Sequence, residues 1–232
     1  MSSLATVYLN DGRLALAEPL LRESLETQKR VLGADHPNTL AAMHDLALLY
    51  EEQGRSAEAE TLFRETIEAK RRVLGKEHPE TLFTMHTLAG LYADLGRSAE
   101  AEALYRQTLE ARKRALGGEH PDTLSSMQGL AALLEKQGRY DEAERLYLAM
   151  LEVRRRVHGD KDPRTARTLS DPACLQALRG RRQEALTGLR RAVEAGFSAA
   201  DEWRHDPRLE SLRGDPRFEA ILAGMPTRPA RE

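Results

Sequence analysis

Cysteine is almost missing from this 232-residue sequence: Cys174 stands alone. That excludes a disulfide framework and fits a reducing compartment. No basic segment followed by an apolar run opens the chain at Met1, so no signal peptide is expected. No apolar stretch approaches the ~20 residues that a membrane-crossing helix needs. Together these point to the cytoplasm and to no membrane partner. Neither sign of charge dominates. Net charge is −2 with 31% charged residues, which argues against a nucleic-acid surface. Aromatics make up 5%, so a core must be built from Leu, Ala and small residues. Arg outnumbers Lys 29 to 6, the bias of a GC-rich bacterial genome and not a functional signal. Glycine-rich phosphate loops, metal-ligand spacings and nucleophile-elbow motifs are all missing, and no cofactor is implied.

What is present is repetition. His36-Pro37-Asn38-Thr39-Leu40 returns as His78-Pro79-Glu80-Thr81-Leu82 and as His120-Pro121-Asp122-Thr123-Leu124, each 42 residues on. Asp162-Pro163-Arg164-Thr165 is a degraded fourth copy. Gly12, Gly54, Gly96, Gly138 and Gly180 keep the same step, each followed by Arg. So do Ala17, Ala59, Ala101, Ala143 and Ala185. Leu20, Leu62, Leu104 and Leu146 are expected core positions, beside Leu21, Phe63, Tyr105, Tyr147 and Leu189. A fixed period of this length marks a stack of units too small to fold alone.

One unit shows the pattern. From Thr39 to Gln53, Met43, Leu46, Ala47 and Tyr50 fall on one helix face. Gly54 stops that helix, and Ser56 is a candidate N-cap for a second helix from about Ala57 to Leu74. Gly75 ends the second helix, and Pro79 opens the next at a position where its missing N–H costs nothing. The unit is two antiparallel helices. The predicted boundaries are an incomplete repeat at 1–33, repeats at 34–75, 76–117 and 118–159, a degenerate repeat at 160–196, capping helices at 197–224 and a loose tail at 225–232.

With Met43, Leu46-Ala47, Tyr50, Gly54, Ala59 and Phe63, and their copies at Met85 to Tyr105 and Met127 to Tyr147, the chain resembles the tetratricopeptide repeat family. The 42-residue length and the His-Pro loop are similar to the kinesin-light-chain subtype. The resemblance covers roughly residues 1–196. It implies an all-α fold, a right-handed α-solenoid of antiparallel helix pairs wound into a superhelix.

The ends depart from the pattern. Leu4-Ala5-Tyr8 aligns with Leu46-Ala47-Tyr50, leaving half a first helix. Pro172 replaces the core Leu of the fourth unit, so a break or restart is expected at Asp171-Pro172. Asp206-Pro207 and Asp215-Pro216 each read as an Asp cap and Pro opening of a short helix. Trp203, Leu209, Leu212, Phe218, Ile221 and Leu222 supply an apolar set suited to cover the end of the stack. This stretch resembles the closing segment of repeat arrays attached to bacterial serine/threonine kinases.

Chemistry-bearing residues read modestly. His36, His78 and His120 form a row with one copy per unit, offset by ~10 Å or more, which suits loop capping and not metal binding. Cys174 falls in the small-residue row of Leu48, Gly90 and Ala132, and is expected to pack. Arg154-Arg155-Arg156 reads as a solvated face. His44 and His86 are either ordinary polar groove residues or contacts to a bound peptide.

The resemblance implies that the first helix of each unit lines a concave groove. It puts Ala41, His44, Leu48, Glu51 and Glu52 there, then Phe83, His86, Gly90 and Asp94, then Ser125, Gln128, Ala132, Glu135 and Lys136, then Arg167. The asparagine ladder of some relatives is replaced by Asp45, Thr87, Gly129 and Asp171, and no carboxylate clamp is expected. The implied function is a non-catalytic scaffold that binds a peptide or protein partner. A second reading is the regulatory or sensor arm of a multidomain signalling protein such as a kinase.

Overall fold

The computed structural model describes Tyr8, Asp11 and residues 13–225. The remnant around Leu4 and Ala5, Gly12, and the tail after Met225 lie outside the described residues. Eleven α-helices are described: α1 Leu14–Leu32, α2 Pro37–Glu52, α3 Ser56–Val73, α4 Pro79–Asp94, α5 Ser98–Leu116, α6 Pro121–Lys136, α7 Tyr140–His158, α8 Pro163–Leu178, α9 Arg182–Glu194, α10 Ala200–His205 and α11 Pro216–Ala223. A 3₁₀ helix, Pro207–Leu212, lies between the last two. Among the described residues there is no strand.

The chain divides into two compact units, Met1–Ser126 and Met127–Glu232, with the division inside α6. In the first, α1 packs on α2, α2 on α3, α3 on α4 and α4 on α5. In the second, α7 packs on α8 and α8 on α9, while the 3₁₀ helix lies on α8 and α11 on α9.

Each part of the repeated pentapeptide has a bond to explain it. The Nδ1 of His36, His78 and His120 accepts the backbone N–H two residues on, at 3.1–3.2 Å. Helices need such acceptors, because their first amides have no partner within the helix. The proline follows as the first helical residue. Thr39, Thr81 and Thr123 donate their hydroxyls to the carbonyls of Gly33, Gly75 and Gly117 at 2.8–2.9 Å, tying each helix start to the end of the helix before it. The leucines Leu40, Leu82 and Leu124 are buried. In the degraded copy Asp162 caps through its carboxylate, while the buried hydroxyl of Thr165 has no partner.

The Gly-Arg turns are equally regular. Gly54, Gly96, Gly138 and Gly180 have φ of 71–74°, a left-handed conformation that a Cβ disfavours. Gly54 N–H donates to Glu51 O and Arg55 N–H to Tyr50 O, the paired bonds that close a helix C-terminus. This closure makes Arg55 the flanking residue of α3, with no side-chain cap, and Ser56 its first helical residue instead of its N-cap. Arg55 and Arg97 lie over the rings of Tyr50 and Tyr92 at 4.2 Å. Arg55 also pairs with Glu18 and Glu58, and Arg97 with Glu60 and Glu100.

The alanine row from Ala17 to Ala185 is fully buried. Leu20, Leu62, Leu104 and Leu146, expected in the core, are only half-buried. Leu62 and Leu104 turn toward outer grooves of about 520 and 480 Å³ between successive second helices.

Pro172 does not break its helix: α8 runs unbroken from Pro163 to Leu178. Proline in a helix interior costs ~3 kcal/mol or more. Packing offsets that here. The next helix approaches so closely that a Cβ on Gly188 would come within 2.6 Å of Ala173 Cβ. Ala173, Cys174, Leu175 and Ala177 are all buried.

The apolar residues of the closing segment are buried. Trp203, Leu209, Leu212 and Phe218 are at most 2% exposed and join Ala173, Cys174, Ala185 and Leu189 in one core. Phe197 stacks on Trp203, with ring centroids 4.5 Å apart. Asp206 and Asp215 cap their helices as expected.

Candidate functional site

In the first unit the candidate residues come from α2 and α4. Phe83 is 45% exposed. Beneath it, His44 is buried at 4% exposure, wedged between Phe83 and Phe63 with ring centroids 5.0 and 5.4 Å away. This departs from the expectation of a groove residue open to a partner: Phe83, reaching over from the next repeat, covers it. Neither His44 nitrogen has a hydrogen-bond partner. Burial, then the nearby Lys70 ammonium, holds His44 neutral, with its pKa lowered to about 4.

His86, one repeat on, is half-buried against Tyr105 at 5.3 Å, and its Nε2 lies 3.5 Å from Ser125 Oγ. Burial, then Arg112, lowers its pKa to about 4 as well. Burial raises the Tyr105 phenol to about 12. Leu48 and Glu51 are half-buried, and Glu52 and Asp94 are exposed. Burial, then Asp94 and Glu52, raises the Glu51 carboxyl above its usual range.

Beside these histidines lies a set of residues that sequence reasoning missed. Lys70 is 2% exposed and donates to Glu80 O, Glu80 Oε2 and Thr84 Oγ1 at 3.1–3.3 Å. Arg112, 1% exposed, donates to Asp122 O at 2.7 Å and Ser126 Oγ at 2.8 Å. In the second unit Arg154 repeats the bonds, to Arg164 O and Thr168 Oγ1. So Arg154 is not part of a solvated run. Each cation, one 42-residue step after the last, joins a second helix to the following first helix.

In the second unit Gln128 and Lys136 are exposed and Glu135 is half-buried. With Arg167, Gln128 and Glu135 line a polar cavity of about 310 Å³ that the closing segment walls with Trp203, Asp206 and Arg208. Arg208 pairs with Asp206 at 2.7 Å, Asp171 at 3.3 Å and Glu135 at 3.7 Å. The Tyr147 hydroxyl donates to Glu135 at 3.3 Å. Burial raises the Glu135 and Asp171 carboxyls despite Arg208. Arg167 is engaged by Glu202 at 2.9 Å. The closing segment thus lies on positions expected to face a partner, which its lack of repeat register concealed.

The histidine loops are occupied as caps, as described above. Among the described residues no group of three His, Cys, Asp or Glu side chains could hold a metal ion. No helix among them is long and apolar enough to cross a membrane. Cys174 is fully buried, and burial pushes its thiol up.

A family model described as tetratricopeptide repeat matches residues 1–72, 57–114, 88–148 and 126–195. No curated protein matches the chain. Among solved structures it is similar to a Podosopora anserina protein assigned as a kinesin light chain with nearly identical TPR-like repeats. Identity is 29%, with 83% of this chain and 91% of that one covered and a TM-score of 0.73. A point variant of that protein gives 28%, 87%, 93% and 0.74. BtubC (BKLC) from P. vanneervenii shares the fold at 22% identity, with 99% and 82% covered and a TM-score of 0.71.

Proposed function

Because this chain belongs to the tetratricopeptide repeat family, we propose that it is a non-catalytic, cytoplasmic scaffold that holds a peptide or protein partner on the first-helix faces of its repeats. The observation that carries this reading is Phe83. It is the one aromatic among the exposed large hydrophobic residues described, and it lies on the first helix of a central repeat. An exposed ring beside polar groups is the usual make-up of an interface hot spot. Leu48, Glu51, Glu52, His86 and Asp94 surround that role in the first unit. In the second, Gln128, Glu135, Lys136 and Arg167 are the candidates. His44 acts from below, by supporting the Phe83 ring.

A pull-down with the intact chain identifies the partner, and substitutions then locate its site. Phe83→Ala with His86→Ala should weaken binding by at least about tenfold while leaving helicity intact. His78→Ala should remove a cap, cost about 1 kcal/mol of stability and leave affinity alone. The opposite pattern would move the site to the loop edge.

A further inference from the structure

The first helices of the first unit carry no positive side chain. Across Pro37–Glu52 and Pro79–Asp94 the acidic residues are Asp45, Glu51, Glu52, Glu80 and Asp94, and there is no Lys or Arg. The two cations beside the histidines are buried and engaged, Lys70 by Glu80 and Arg112 by Asp122 and Ser126, while Arg64 and Arg71 of α3 reach α4 at Tyr92 and Met85 and pair with Glu60 and Glu68. Both histidines are held neutral. Glu51 and Glu52 have no ion pair among the described residues.

The second unit shows what this repeat position accepts when a cation is supplied. Glu135 lies two 42-residue steps after Glu51, and the closing segment places the Arg208 guanidinium against it. Arg208 belongs to no repeat. It acts as a tethered stand-in for a ligand side chain, and within the first unit no such side chain meets Glu51.

Resting on the groove reading and narrowing it, we propose that the α2–α4 face receives a cationic peptide segment of a protein partner, with arginine set against Glu51 and Glu52 and an apolar side chain against Phe83. Charge complementarity sets the class, since a carboxylate pair without counter-ions favours a guanidinium that can bind it bidentately. Spacing sets the length. Ala41, the α2 position one 42-residue step before Phe83, and Glu51 are about 15 Å apart along α2 at the helical rise. An extended peptide spans that in about five residues.

The test uses the full chain and a dye-labelled peptide, acetyl-Leu-Gly-Ser-Gly-Arg-Arg-amide, followed by fluorescence anisotropy at low salt. Versions ending in Gln-Gln and Glu-Glu are the comparisons. The arginine peptide should bind at least about tenfold tighter than the glutamine one, and the glutamate one should not bind. Added salt should weaken the complex. Glu51→Gln with Glu52→Gln should lose about tenfold, with an unchanged circular dichroism spectrum. These exposed and half-buried positions tolerate the isosteric change, and Phe83→Ala gives a second, independent loss. Equal binding of the glutamine peptide that still depends on Phe83 would overturn the cationic class and spare the groove. Binding of the arginine peptide that neither substitution weakens would overturn both. Failure of every peptide to saturate below about 1 mM would overturn the proposal, leaving the groove to the Phe83 and His86 substitutions on the natural partner.

Discussion

Arg112 and Ser126 stand on consecutive helices and meet through a 2.8 Å hydrogen bond beneath the surface. The guanidinium is 1% exposed and the serine fully buried. A buried charge is costly where its donors go unmet, and Arg112 Nε already has no partner, so the bonds of the terminal nitrogen to Asp122 O and Ser126 Oγ are what hold the guanidinium. Ser126→Ala should therefore cost about 1–3 kcal/mol, well above a surface serine. The double variant Arg112→Leu with Ser126→Ala should cost less than the sum of the singles, because neither group is then stranded. Denaturant unfolding of the four proteins in this cycle checks both statements. Strict additivity would remove the coupling.

Acid should loosen the first unit through His44. Its folded pKa, about 4, lies below the unfolded value near 6.5. The unfolded chain therefore takes up the proton first, and stability falls as pH drops from 7 toward 4. Glu51, whose folded pKa is raised, works in the opposite direction as it protonates. A comparison isolates the histidine. Between pH 7 and 4.5, wild type should lose about 2 kcal/mol more than His44→Leu. Parallel pH profiles for the two proteins would show that His44 titrates normally.

Pro172→Leu should stabilise the second unit by about 1–3 kcal/mol, raising its melting temperature. The change restores a backbone donor toward the Thr168 carbonyl and returns the residue found at Leu46, Leu88 and Leu130. The site has room: Pro172 is half-buried at an open groove of about 590 Å³ lined by Leu148, Leu151 and Leu169. A lower melting temperature would mean the groove is shaped around the proline ring.

A chain ending at residue 196 should aggregate. Trp203, Leu209, Leu212 and Phe218 cover Ala173, Cys174, Ala185 and Leu189, and their loss uncovers that apolar face. Size-exclusion chromatography of the shortened chain decides the matter. A monomer with an unchanged melting temperature would show that the segment does not act as a cap.

The repeat architecture was legible because its determinants are local. A histidine cap, its proline, a threonine and a turn glycine act within a few residues, so a fixed spacing carries them all. Pro172 was misread because the force that keeps its helix whole, the close approach of Gly188 to Ala173, comes from another helix. His44 looked open for the same reason: the ring that covers it is 39 residues away. Arg154 reads as surface charge within its arginine run, and Lys70 and Arg112 stand out by no local motif. Their 42-residue recurrence, each with Thr or Ser 14 residues further on, was the available signal. Arg208 offered none, since it lies beyond the period.

The bond from Thr39 to the Gly33 carbonyl spans six residues, and its copies at Thr81 and Thr123 do the same. A joint made within so short a stretch holds no record of which repeat precedes it. Excision or duplication of one whole 42-residue step would re-form the same hinge pin at the new seam. Such a chain can change its length by whole repeats while its first-helix residues are retained or exchanged one repeat at a time. Thr165, whose hydroxyl has no such acceptor, marks the seam where that freedom ends.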